Sequence, residues 1–150
     1  MKKIILVLFI TTFIGSAYSQ SLPKDVEKVY KAAEKMQSKK EFNKSVELYK
    51  EVLQSVPDHY QSLENIGDIE MKLRAKPNYT QAFENYQKAL DIVNSALSSA
   101  EKRKVKKYLS AEKDRITPKC NKAKSFVKDF DKAKENHEKG KRLMDDEDLN

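Results

Sequence analysis

The chain has 150 residues, 39% hydrophobic and 35% charged, with three glycines, four prolines, one cysteine and a formal charge of +7. That length suits one domain. Glycine is too scarce for an all-β fold with many tight turns, and the single Cys120 excludes an intrachain disulfide. Lys, Glu, Ala and Leu dominate the middle of the chain, a composition that favours helices.

The first twenty residues, MKKIILVLFITTFIGSAYSQ, open on Lys2 and Lys3, continue with an apolar run from Ile4 to Ile14 and end on small residues. This is the layout of a secretory signal, with cleavage expected after Ser19. The apolar run is shorter than the roughly 20 residues of a spanning helix, which argues against an uncleaved anchor. No cysteine stands near the cut to carry a bacterial-type lipid anchor. The expected product, residues 20–150, is exported: periplasmic, envelope-associated or secreted. The Lys-rich leader and Lys/Asn-rich composition have a bacterial look.

After the leader, residues 26–39 (VEKVYKAAEKMQSK) have helical periodicity with a small-residue notch at Ala33. Residues 41–53 (EFNKSVELYKEVL) place Phe42, Ser45, Val46, Tyr49 and Leu53 on one stripe, which Pro57 closes. Residues 60–73 (YQSLENIGDIEMKL) repeat the first segment at an offset of 34, with Gly67 on Ala33 and Leu63 on Val29. Residues 78–90 (NYTQAFENYQKAL) repeat the second at an offset of 37, with Tyr79 on Phe42, Ala82 on Ser45 and Tyr86 on Tyr49. The difference in offset places about three extra residues near Arg74-Ala75-Lys76-Pro77. Ala33 and Gly67 are small where another helix axis must approach. Asn43 and Asn78 fit glycosylation sequons but fall where a helix cap is expected.

From residue 97 the pattern degrades. Residues 97–116 read as a first helix with Ala100, Val105, Tyr108 and Leu109 on a sparse apolar face. Thr117-Pro118 then reads as a restart, with Thr as cap and Pro in the first turn. A second helix follows with Cys120, Ala123, Phe126, Val127 and Phe130, and Cys120 is expected to be buried on that stripe. Residues 133–150 align with 26–43 at an offset of 107, placing Gly140 on Ala33 and Leu149-Asn150 on Phe42-Asn43. They read as a polar terminal cap or as the start of a fourth unit in a longer protein.

The paired segments resemble the tetratricopeptide repeat family, whose unit is about 34 residues of helix–turn–helix. The resemblance rests on Ala33, Phe42, Ser45, Tyr49, Val52 and Pro57, and on Leu63, Gly67, Tyr79, Ala82, Tyr86 and Ala89. It departs from the family pattern at Ser45, where Ala is usual, and in the longer second turn. It implies an all-α, short right-handed solenoid of antiparallel helix pairs. The expected units are 26–59, 60–96, a divergent 97–132 and the partial 133–150.

No nucleophile, metal or phosphate-binding motif occurs, so an enzyme is not expected, nor is a cofactor or a metal. His59 and His137 stand apart from any Cys or His at ligand spacing. The acidic Asp145-Asp146-Glu147-Asp148 reads as a solvated end. The dense basic run, Lys102-Arg103-Lys104 with Lys106-Lys107, reads first as a solvated helix face and second as a patch for phosphates or an acidic surface. Nucleic acid is not an expected partner of an exported chain.

The resemblance further implies a concave groove lined by the first helices. Its candidate residues are Glu27, Tyr30, Glu34, Gln37, Gln61, Glu64, Asn65, Asp68, Met71 and Lys72. Four acids against one lysine suit a polar or basic protein segment, with Tyr30 and Met71 as contact area. The expected role is a protein-binding adaptor. The alternative is the N-terminal spacer of a longer envelope protein associated with peptidoglycan or the outer membrane.

Overall fold

The computed structural model describes residues 22–73 and 75–147, the side chains of 140 and 143–147 excepted. The expected leader and the terminal Leu149-Asn150 lie outside the described residues. Every regular element among the described residues is helical.

Helix α1 spans Lys24–Ser38, with Asp25 and Glu27 in its first turn and Lys35 in its last, charges that complement the helix dipole. It ends in a pair of backbone hydrogen bonds. The Lys40 amide donates to the Gln37 carbonyl at 3.0 Å and the Glu41 amide to Met36 at 2.9 Å. Lys40 takes a left-handed φ of 62° at the position where glycine is usual. The chain thereby folds back into α2, Phe42–Ser55, which buries Ser45, Val46, Tyr49 and Val52 against α1. Ser45 Oγ donates to the Ala33 carbonyl at 2.9 Å, so the small notch also satisfies this buried hydroxyl. Pro57 and Asp58 form the turn that follows.

Helix α3, Tyr60–Asp68, continues into a π-helical turn over Ile69–Leu73. Helix α4 spans Tyr79–Ser99 and is capped by Asn78, whose Oδ1 accepts from the Gln81 amide at 3.1 Å. Asn43 is no cap: it lies inside α2. The α3–α4 hairpin repeats the α1–α2 solution with a closer approach. A Cβ built on Gly67 would stand 2.7 Å from Tyr86 Cε1 and 2.9 Å from Cδ1, so the tyrosine ring occupies the space a side chain would need. Tyr49 donates its hydroxyl to Gln37 Oε1 at 2.8 Å. Its repeat partner Tyr86 donates instead to Asp68 Oδ1 at 2.7 Å, because the residue aligned with Gln37 is Met71, which offers no comparable acceptor.

The third unit departs from expectation. A single helix, α5, spans Arg103–Glu147 with Pro118 inside it, and residues 97–99 belong to α4. Residues 97–132 therefore form no helix pair, and 133–147 continue α5. Proline costs a helix interior about 3 kcal/mol. Here Ile116, Cys120 and Ala123 are all buried on both sides of it, in the core shared with α4. That stripe is continuous only if the helix is. Pro118 faces solvent, and Thr117 Oγ1 bonds the Lys113 carbonyl at 2.7 Å on the same stretch. Cys120 is buried, as its place on the stripe predicts. The packing on α4 is antiparallel: Tyr79 stacks on Phe126 with centroids 4.7 Å apart, and Cys120 Sγ lies 3.7 Å from Gln87 Oε1.

Two core clusters result, one around α1–α2–α3 and a larger one around α3–α4–α5, with Leu53 touching both. Beyond Val127 every described side chain of α5 is exposed, Phe130 included. No described helix is long and apolar enough to cross a membrane.

Candidate partner-binding face

Helices α1, α3 and α5 meet through polar side chains. Asn65 Nδ2 donates to the Tyr30 hydroxyl at 3.1 Å, joining α3 to α1. Tyr30 also stands edge-on to His59, with centroids 5.0 Å apart, and tilted on Tyr49. Burial, with the Glu34 carboxylate next in weight, raises the Tyr30 phenol to about 12, so it remains a neutral hydroxyl. Glu27 pairs with Lys31 at 2.6 Å, and Glu34 is exposed. Gln61 is half-buried on α3.

The α3–α5 seam is ionic. Glu64, only 4% exposed, accepts from Arg115 and from Lys119 Nζ, the latter at 2.6 Å. Lys119 reaches Asp68 Oδ2 at 2.7 Å, and Arg115 also bonds Glu112 at 2.5 Å. The Tyr60 hydroxyl meets the Tyr108 hydroxyl at 2.9 Å and Glu112 at 3.2 Å. Contacts at 60–108, 64–115 and 68–119 advance together, so α3 and α5 run in the same direction. Burial would raise the Asp68 carboxyl, but bonds from Lys119 and Tyr86 outweigh it and hold it below the usual carboxylate range. Burial would likewise lower the Lys119 ammonium, and its two carboxylate partners raise it instead.

This geometry divides the ten expected groove residues. Glu27, Tyr30, Glu34, Gln61 and Asn65 form an accessible or half-accessible set on α1 and α3, and Gln37 accepts from Tyr49 beside them. Glu64 and Asp68 are neutralised from within by α5, with Lys72 3.5 Å from Asp68. Met71 is core, not contact area. The π turn, closed by i→i+5 bonds, rotates less per residue than an α-helix and so keeps neighbouring residues closer to one side of the axis, and Ile69, Glu70 and Met71 are buried in succession. Arg115 and Lys119 were not among the expected residues. Their i, i+4 spacing mirrors that of Glu64 and Asp68, and that match is the sequence signal for the seam.

No family model, curated protein or solved structure matches the chain. The face must be read from its own chemistry. Its open part offers two carboxylates, amides and one phenol, groups that hold a polar segment by hydrogen bonds and charge. Among the described residues, no three His, Cys, Asp or Glu are grouped to hold a metal ion. His59 Nδ1 lies 2.8 Å from Ser62 Oγ, but Ser62 is fully buried and the contact serves the start of α3.

His59 makes the junction of the two hairpins pH-sensitive. Burial lowers its pKa, against a smaller raising effect of Asp58. The folded state therefore holds a neutral imidazole that the unfolded chain would protonate below about 6.5. Stability is complete above that pH and falls as pH drops toward the folded pKa, by at most about 1.4 kcal/mol per pH unit. Thermal melts between neutral pH and mild acid should show this decline. His59→Asn should flatten it relative to the native chain, and an unchanged slope would remove His59 as the cause.

Proposed function

We propose that this chain is a non-enzymatic, exported adaptor of the tetratricopeptide type, which holds a polar or basic segment of another protein against the α1–α3 face. The observation that carries the reading is the repeated packing solution. Ser45 bonds at Ala33 and Tyr86 packs at Gly67, so in two successive hairpins a second helix rests on the aligned small-residue notch, through residues one helical turn apart in the repeat. Glu27 and Glu34 flanking the half-buried Tyr30 support the polar or basic character of the occupant. Of the expected groove acids, Glu34 is exposed and Glu27 holds only the exposed Lys31, so the occupant should lie along α1 and the near edge of α3.

A photoreactive residue at position 61 tests this, with position 50 on the outer side of α2 as reference. One partner should crosslink in native envelopes from position 61 and not from 50. Reversing Glu27 and Glu34 to lysine should weaken that partner's affinity about tenfold, since rim charges steer association. Equal labelling at both positions, or unchanged affinity, would reject the face.

A further inference from the structure

The α4–α5 turn carries the densest run of positive charge in the sequence. Lys102, Arg103, Lys104, Lys106 and Lys107 are all exposed, and Glu101 is the one carboxylate between residues 99 and 111. None of the five has an ion-pair partner among the described residues. Lys31, Lys44, Lys72 and Lys139 each hold a carboxylate three or four residues earlier, whereas most other exposed lysines, like these five, hold none among the described residues; this turn differs in how many such cations it gathers.

The arrangement works against local helix stability. Lys102–Lys106 and Arg103–Lys107 are like charges at i, i+4, a spacing that destabilises a helix. They also crowd the positive end of α5, whose first turn contains no acid, whereas α1 opens on Asp25 and Glu27. The Lys102 carbonyl takes the first helical bonds, from Val105 and Lys106 at 3.0 and 3.1 Å. The free amides of the helix start therefore point off the same end as the cations. Val105 and Leu109 fix the buried line. At about 100° per residue, Arg103, Lys104 and Lys107 project away from it, with Lys106 beside them.

We infer that this tip is a docking surface for an anionic phospholipid bilayer. The cations gather at the turn that joins α4 to α5 and all are exposed there, so several of them can face one plane of phosphate headgroups together. The tip lacks the buried apolar centre of a protein interface: Tyr108, half-exposed and bonded to Tyr60, is its nearest aromatic. It also lacks the row of aromatic side chains on which unpaired bases stack. Each lysine or arginine at an anionic headgroup plane contributes favourably and is screened by salt. The tip's five cations are not among the α1–α3 residues on which the adaptor reading rests, so this inference stands apart from it.

Flotation of the full chain with vesicles of phosphatidylcholine and phosphatidylglycerol in equal parts tests it. Arg103→Gln, Lys104→Gln, Lys106→Gln and Lys107→Gln together should weaken binding by about tenfold or more at moderate salt. A control with Lys122, Lys128, Lys132 and Lys134 changed to Gln loses the same charge and should stay within about threefold. Both variants keep the same N-terminal residues, so their difference reports the tip. The tip variant should melt at or above the native temperature, because it sheds repulsive pairs, which separates lost binding from lost fold. Equal weakening in both variants, or none in the tip variant, would overturn the inference. So would tighter binding to duplex nucleic acid than to the vesicles at matched salt.

Discussion

Tyr86→Ala is expected to cost the fold about 3–5 kcal/mol, the range for deleting a large buried ring. Tyr86 is fully buried, packs directly on Gly67 and donates to Asp68. Alanine would open a cavity between α3 and α4 and remove one donor from a carboxylate that Lys119 also holds. Tyr86→Phe keeps the ring and should lose only about 1 kcal/mol, since Asp68 keeps its lysine partner. The contact with Gly67 makes a sharper test. Gly67→Ala alone should destabilise by about 1–2 kcal/mol, because a ring that cannot retreat outweighs the gain in helix propensity. In the Tyr86→Ala background the same change should stabilise by up to about 1 kcal/mol. Urea melts followed by circular dichroism measure all four proteins. Additive effects of the two substitutions would show that the close approach is not what requires glycine.

Glu64→Lys should be the most disruptive change on the polar seam, at about 3–5 kcal/mol. It would put a third cation beside Arg115 and Lys119, in a position that is almost fully buried. The loss has an outlet, since Arg115 is 45% exposed and can swing into water. Glu64→Gln should therefore cost less, about 1–2 kcal/mol after allowing for that screening. Arg115→Glu in the Glu64→Lys background restores one opposite-charge pair and should recover a measurable part of the loss. A double swap no more stable than Glu64→Lys alone would mean that the seam is held by the apolar contacts of α5 rather than by its charges. Raising the salt should affect the native chain little, because the Glu64 end is shielded from solvent.

Local sequence was a reliable guide where the buried face is periodic. Ser45, Val46, Tyr49 and Val52, and Ala82, Tyr86 and Ala89, are buried as their spacing requires, and Gly67 meets a ring as a notch residue should. Pro57 and Asn78 marked real boundaries because their effects act on the adjacent backbone alone. Thr117-Pro118 looked like the same kind of mark. There a local penalty competes with burial of Ile116, Cys120 and Ala123 against α4, residues supplied from elsewhere in the chain, and the tertiary contact wins.

The sequence by itself therefore determined the helical class, the two successive hairpins and their buried stripes, because periodicity and small-residue notches are properties of neighbouring residues. Only the tertiary structure decided that α5 is one helix and that Met71 turns inward. It also decided that Glu64 and Asp68 are matched by Arg115 and Lys119 while Glu27 and Glu34 stay on the open face. Whether a carboxylate is available to a partner depends on which cation the fold brings beside it. For Glu64 and Asp68 those cations lie about fifty positions further along the chain.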